Sequence, residues 1–362
     1  MKILIRTDAS LQIGTGHVMR CLTLADALTE KGVEVRFICR NHIGNLIEYI
    51  QSKGYFVYQL DIPKKTGYDE AIEFSQDSQL SHANWLGCTQ EEDASTCESI
   101  LKKIHPDWLV VDHYAIDRTW HNELKGLYTK LMVIDDLADR YHQCDLLLDQ
   151  TYGRQQHEYK DLVPANCQLL LGSQFALLRP EFQQWREYSL SRREQPKLRK
   201  LLITMGGVDQ DNVTSQVLAT LKSCELPKEL EITVIMGKTA PHLNDVKTLA
   251  ESMPCKTQVK VSVNNMAEIM ANSDLAIGAA GATTWERCCL GLPSILVVLA
   301  DNQKDIANLI SNAEAAIKFA LDEIGLLCDT IVKAENDLDK ISKKSASISD
   351  GRGVSRVIEA ML

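Results

Sequence analysis

The chain has 362 residues, 45% of them hydrophobic and 24% charged, enough for two domains with ordinary cores. Its 39 basic and 49 acidic residues give a net charge of −10, which argues against nucleic acid as the main partner but leaves room for an anionic small molecule in a locally positive pocket. No apolar stretch approaches the 18 residues of a membrane span and the N-terminus does not read as a signal peptide, so the expectation is a cytoplasmic protein, not inserted in a membrane, whose 11 cysteines are free and reduced.

KILIRTD (2–8) is rich in Ile and Leu and suits a buried strand. A loop through Gly14 and Gly16 follows, then HVMRCLTLADALTEKG, where Val18, Leu22, Ala25 and Leu28 form a helical stripe closed by Gly32. VEVRFICR (33–40) is the next strand, which completes a strand–helix–strand unit of a parallel sheet. NLIEYIQSKG reads as a helix ending at Gly54, and residues 64–95 as loop and short helix. DWLVVDHY (107–114), LMVIDDLAD (131–139) and CDLLLDQT (144–151) read as strands with acidic C-terminal ends. The polar, basic stretch 189–200 reads as a solvated linker.

The opening grammar then returns. KLLITMGG (200–207) is a strand running into Gly206 and Gly207, DNVTSQVLATLKSC a helix with Asp211 and Asn212 placed to cap it, and LEITVIMG (230–237) a strand. DLAIGAAGATTWERCCLGLPSILV (274–297) repeats strand, tight turn and helix, with Gly291 closing the helix. The fold class expected is therefore α/β, with two similarly built Rossmann-like domains. The first spans residues 1–188 and the second 200–345, and 346–362 forms a last helix that packs back on the first domain.

Several motifs fail by position. Met19 stands where a dinucleotide fingerprint needs its third glycine, and Ile232 where a phosphate loop ending in GKT (237–239) needs its first. The nine histidines show no metal-ligand spacing, and a G-x-S-x-G elbow is absent. No metal and no cofactor is expected.

What survives clusters at strand ends, where open α/β sheets bind ligands. Gly281 and Ala282 bring backbone N–H groups close to a helix start, a place for a diphosphate, with the Thr283 and Thr284 hydroxyls beside them. Glu286 could grip a ribose diol or be a plain first-turn acid. Asn302 and Gln303 follow another strand, and Gly14–His17 and Asp112–Tyr114 end two strands of the first half. Together these loops suggest a cleft between the domains. His17 could be a catalytic group or a helix cap, Arg20 a substrate contact or an ion-pair partner, and His113 a core histidine.

The stretches GTGHVMRCLTLADAL, VVDHY, IDDLADR…CDLLLDQ, GGVDQDNVT, the run 265–294 and LADNQ resemble the UDP-sugar hydrolases of pseudaminic acid biosynthesis, which hydrolyse UDP-2,4-diacetamido-2,4,6-trideoxy-β-L-altropyranose. The motifs run from the N-terminus to about residue 305. Ala280 departs from relatives that carry a second glycine there.

The resemblance implies a GT-B arrangement and His17 as the base that activates water. The strand-end loops then put Gly16, Arg20, Asp112, Tyr114, Gly206, Gly207, Gly281, Ala282, Thr283, Glu286, Asn302 and Gln303 around substrate, with an ion pair the alternative for Arg20. Asp112 and Tyr114 then shape the sugar pocket, and Asp135 and Asp136 orient loops or cap a helix. The function expected is metal-independent release of UDP with inversion at the anomeric carbon. The partner is a small-molecule UDP-sugar, with no obligate protein partner. A glycosyltransferase with the same donor, or a non-catalytic UDP-sugar-binding protein, are the rival readings.

Overall fold

The computed structural model describes residues 1–63, 80–300 and 303–362, which fall into two compact units. Unit 1 comprises Met1–Leu177 with Val354–Leu362, and unit 2 comprises Leu178–Gly353.

Unit 1 is built on strands β1 (Lys2–Thr7), β2 (Glu34–Arg40), β3 (Phe56–Leu60), β4 (Trp108–Asp112), β5 (Lys130–Ile134), β6 (Leu146–Asp149) and β7 (Gln168–Leu171). They form one seven-stranded parallel sheet in the order β3-β2-β1-β4-β5-β6-β7. Both faces are covered, so the central strands are continuous apolar runs. In β1, Ile3 and Ile5 face α1 (Gly16–Glu30) and α13 (Gly353–Met361), while Leu4 faces α3 (Gln90–Ile104) and α4 (Arg118–Glu123). Val357, Ile358 and Met361 of α13 join the first core, and the Met361 carbonyl accepts from Trp108 Nε1 at 3.1 Å. The strand order reverses between β1 and β4, whose register sets Thr7 beside Asp112. The chain leaves these two strands in opposite directions, which opens a crevice at their carboxyl ends.

Helix α3 begins inside the stretch 64–95 expected to be loop and short helix and runs past it to Ile104; residues 64–79 of that stretch lie outside the described residues. Thr89 and Glu92 close a capping box at its start. Its buried face is Asp93, Ala94, Cys97 and Leu101, so a charged residue interrupts the apolar period. Asp93 is fully buried because it neutralises two buried arginines: Arg6 (2.7 Å) and Arg40 (2.7 Å) both reach its Oδ2, and Trp120 Nε1 donates to Oδ1 at 2.9 Å. Burial pushes the Asp93 carboxyl up, but the two guanidiniums prevail and hold it at about 2.

Unit 2 repeats the plan with β8 (Lys200–Thr204), β9 (Glu231–Met236), β10 (Lys256–Val261), β11 (Leu275–Ala279), β12 (Ser294–Val298) and β13 (Ile317–Ala320). They form a six-stranded parallel sheet, β10-β9-β8-β11-β12-β13, which reverses between β8 and β11.

Four expectations are corrected here. The limit between the units falls after Leu177, because α5 (Pro180–Arg192) packs within unit 2. The basic stretch 189–200 is no solvated linker: Ser189 donates to the Leu290 carbonyl at 2.7 Å, and buried Arg193 donates to the carbonyls of Met270, Ser273 and Leu290. Those carbonyls end α8 (Met266–Ala271) and α9 (Thr283–Cys289), where unpaired acceptors favour a cation. The N-terminus of α6 (Val213–Leu221) is capped by Asp209, which accepts from the Val213 and Thr214 amides at 2.9 Å each, and not by Asp211 or Asn212. Cys224 and Cys328 form a disulfide. Among the described residues, no helix is long and apolar enough to cross a membrane.

Asp93→Ala leaves buried Arg40 without its carboxylate partner and Arg6 with Asp8 alone, and is expected to cost about 3–5 kcal/mol of unit 1 stability. Removing exposed Glu98, which pairs with Lys102, should cost about 0.5 kcal/mol or less. Urea unfolding of the full chain measures both.

Candidate functional site

The first site grows from the β1–β4 reversal. After β1 the chain turns sharply, with Ser10 Oγ accepting from the Gln12 and Ile13 amides and Gly14 in the left-handed region (φ 78°). Helix α1 then opens at Gly16, and open space surrounds that residue's Cα. His17 and Arg20 lie one turn apart on the buried side of α1, facing Asp112 at the end of β4.

Asp112 is completely buried and carries three strong contacts. His17 Nδ1 lies 2.6 Å from Oδ1, and Arg20 grips both oxygens through Nε and Nη2 at 2.7 Å each. Burial pushes the Asp112 carboxyl up, but Arg20 and His17 outweigh it and hold the group well below the usual carboxylate range. An ionised carboxylate can only accept, so Nδ1 of His17 carries the proton. In the neutral ring, Nε2 is then a lone pair, and it has no hydrogen-bond partner among the described residues.

A second carboxylate stabilises the first set. Asp136 pairs with Arg20 Nη1 and accepts from the Tyr114 hydroxyl at 2.8 Å. The Tyr114 ring meets His17 edge-on with centroids 4.5 Å apart. Asp135 is separate: it is buried against Arg140, Tyr159 and the Ala138 amide. His113 is a core histidine, its Nδ1 accepting from the Ala115 amide and its Nε2 facing Asp8 at 3.3 Å.

Unit 2 offers a different surface at its own reversal. Gly206 (φ 96°) and Gly207 are exposed, and the Gly207 carbonyl accepts from the Gly237 amide at 3.0 Å. After β11, the amides of Gly281, Ala282 and Thr283 have no hydrogen-bond partner among the described residues. Buried Arg287 lies against Gly278, where a side chain would collide with it, and donates to the Ala279 carbonyl (2.6 Å) and to Thr284 Oγ1 (3.2 Å). Its Nε and Nη1 are sealed without a partner, and burial brings it down to about 10, still a cation at neutral pH. Thr284 is buried against it rather than open to a ligand. The Glu286 side chain is 17% exposed and 3.8 Å from Arg179. Burial raises Glu286 to about 7, against the pull of Arg179 and Arg287 and with the push of Glu181.

The structure thus joins His17, Arg20, Asp112 and Tyr114 in unit 1, with Gly16 beside them, and sets Gly206, Gly207, Gly281, Ala282, Thr283 and Glu286 around one reversal in unit 2. Gln303 spends its side-chain oxygen on the Leu299 amide at 3.0 Å, and Asn302 lies outside the described residues. Asp112 and Arg20, expected at the substrate, have their polar atoms engaged by one another and by Asp136 and His17, and Asp112 holds the His17 ring through Nδ1. Sequence reasoning missed the roles of Asp136 and Arg287, and missed Trp85 and His82, whose rings stand beside His17 and Tyr114. Among the described residues, no group of three or more His, Cys, Asp or Glu is placed to hold a metal ion.

Residues 200–358 match the glycosyltransferase family 28 C-terminal domain. The whole chain superposes on MurG of Acinetobacter baumannii with a TM-score of 0.70, 16% identity and coverage of 99% of this chain and 98% of MurG. The fold is therefore that of the GT-B glycosyltransferases, two parallel-sheet α/β domains. Within that class, the resemblance carried by the sequence motifs extends along most of the chain. It is 26% identical to the UDP-2,4-diacetamido-2,4,6-trideoxy-beta-L-altropyranose hydrolase of Campylobacter jejuni, over 88% of this chain and 99% of that enzyme. It is also 27% identical to protein MJ1062 of Methanocaldococcus jannaschii over 84% of this chain, a match that spans only 56% of MJ1062.

The raised carboxyl of Glu286 has a stability signature. A folded-state value of about 7, above the unfolded one, means that folding loses stability as pH rises from about 4.5 to about 7. Glu286→Gln should therefore stabilise unit 2 by about 1–3 kcal/mol at pH 8 and leave it nearly unchanged at pH 4. Thermal unfolding at the two pH values reads the difference, and an equal effect at both removes the burial explanation.

Proposed function

We propose that this chain hydrolyses UDP-2,4-diacetamido-2,4,6-trideoxy-β-L-altropyranose to UDP and the free sugar, a step of pseudaminic acid biosynthesis. The observation that carries the reading is His17, held through Nδ1 by ionised Asp112 at 2.6 Å with Nε2 unengaged. The Campylobacter relative supports the choice of substrate.

In this reading Nε2 takes a proton from water as the oxygen attacks the anomeric carbon. The imidazolium that forms gains a full ion pair with Asp112, and Arg20 keeps Asp112 ionised throughout the cycle. The C–O bond to the diphosphate breaks with inversion. Because a diphosphate is already a stable anion, the step asks more for a base than for an acid. Unit 2 holds UDP, with the diphosphate on the amides of Gly281, Ala282 and Thr283, the ribose on Glu286, and Gly206 and Gly207 leaving room for close approach. Gln303 lies beside the sugar.

The second reading is a UDP-sugar glycosyltransferase, favoured by the MurG-like fold. Both readings need the same base and differ in what that base deprotonates. Release of UDP from the purified protein without any acceptor supports the hydrolase, and release only when a carbohydrate acceptor is added supports the transferase.

His17→Asn should keep the fold and UDP binding and lower kcat by about 10²–10⁴-fold, the usual range for a lost general base. A variant with more than about half the wild-type rate removes His17 from the mechanism. In water enriched in heavy oxygen, the label should enter the sugar and not UDP, as read by mass spectrometry early in turnover. Label in the β-phosphate would mean attack at phosphorus.

At pH 8, where its carboxyl is ionised, Glu286→Ala should weaken UDP binding by about 1.5–3 kcal/mol, the range for hydrogen bonds to a charged group. Calorimetry with UDP measures it, and unchanged affinity makes Glu286 a plain helix residue.

A further inference from the structure

Beside His17 stands a group of rings that the proposed chemistry has not used. A 3-10 turn, Ala83–Leu86, carries Trp85, and His82 precedes it. The Trp85 and Tyr114 rings are nearly parallel (23°) with centroids 5.9 Å apart, and His82 lies 4.2 Å from Trp85 and 5.6 Å from Tyr114. His17 meets both Tyr114 (83°, 4.5 Å) and Trp85 (80°, 6.4 Å) edge-on. Trp85 and His82 are half-buried. Among the described residues, neither the Trp85 indole N–H nor the His82 ring nitrogens have a hydrogen-bond partner, and none of these atoms is sealed from solvent.

Buried or interfacial tryptophans usually satisfy their N–H, and large rings seldom stand open without an apolar partner. Here flat apolar faces sit together with one free donor and one free acceptor. Burial and the Arg140 charge lower the His82 pKa, so its ring is neutral and able to accept near pH 7. An acetamido group has matching parts: a methyl for an aromatic face, a carbonyl for an N–H and an N–H for a ring nitrogen. Distance fits as well. A water on Nε2 of His17 stands about 3 Å away and the attacked carbon about 3 Å beyond it. The Trp85 ring centre lies 6.4 Å from that of His17, a span comparable to that reach.

The geometry points to Trp85 and His82 as a specificity wall that recognises an acetamido substituent of the sugar, the indole N–H donating to its carbonyl and the rings packing on its methyl. This rests on the proposed function for the reacting sugar, but not for the ability to bind an acetamido sugar.

The test uses the full chain and two variants, Trp85→Leu, which removes the ring, and Trp85→Phe, which keeps a ring and removes the N–H. The first probe is the free 2,4-diacetamido-2,4,6-trideoxyhexose in saturation-transfer NMR, with a 6-deoxyhexose lacking acetamido groups as control. Transfer to the acetyl methyls is expected in the wild type, at least fivefold weaker in Trp85→Leu and intermediate in Trp85→Phe, with calorimetric UDP affinity unchanged within twofold. On the UDP-sugar, Trp85→Leu should lower kcat/KM at least tenfold, mainly through KM. Absence of methyl transfer in the wild type, or equal transfer in Trp85→Leu, overturns the wall. Methyl transfer that behaves as expected, in a protein that releases no UDP, overturns the hydrolase reading and leaves the wall standing.

Discussion

Asp112 is a buried anion that exists as an anion only because Arg20 and His17 surround it. The rest of the first site follows from that constraint. The carboxylate fixes the His17 tautomer and ring plane, because an ionised acceptor leaves Nδ1 no role but donor. Arg20 cannot serve Asp112 alone, since one carboxylate leaves a guanidinium edge unsatisfied, and Asp136 takes that edge. Asp136 in turn fixes Tyr114, whose ring limits how His17 can rotate. A buried ion pair of this kind adds little net stability, since desolvation of both partners consumes most of the attraction. Its evident return is orientation: a lone pair aimed from a helix start that a simple N-cap would not need.

The two units share a plan. Each reverses its strand order once, and each puts its unusual residues at that reversal. The first fills the crevice with charges that neutralise one another in pairs. The second leaves backbone amides free and seats a buried cation, Arg287, beneath them with two nitrogens unpartnered. A sealed cation with no ion pair among the described residues raises the local potential, and the free amides nearby add to it. A surface of that sign suits an anionic ligand despite the net charge of −10 on the whole chain.

The α/β alternation was legible because central parallel strands are buried on both faces and read as unbroken apolar runs. His17 and Glu286 drew attention in the sequence because each is a titratable residue in the first turn of a helix that follows a glycine turn. Pairwise facts were not. That Asp112 faces His17 depends on the register of β4 against β1, and no spacing along the chain encodes it. Helix α3 was hidden because Asp93 stands on its buried stripe, and only the partners Arg6 and Arg40 make that tolerable. The stretch 189–200 looked solvated because its arginines are charged, yet Arg193 spends its charge on helix-end carbonyls rather than on water. The Cys224–Cys328 bond joins residues 104 apart with no spacing signal to announce them.

A base of this geometry does not by itself choose between water and a sugar hydroxyl, because both present an O–H to the same lone pair. The choice turns on what else the acceptor side can hold. A transferase must bind a second carbohydrate and exclude water, so it needs further polar groups aimed at the acceptor. In unit 1 most polar groups near His17 are already engaged with one another: Arg20 with Asp112 and Asp136, and Tyr114 with Asp136. Those without a partner among the described residues, Trp85 and His82, are aromatic and match an apolar-polar substituent better than a polyhydroxylated ring. In the proposed reading, charged groups spent on orienting one nitrogen suit activation of the smallest acceptor, water.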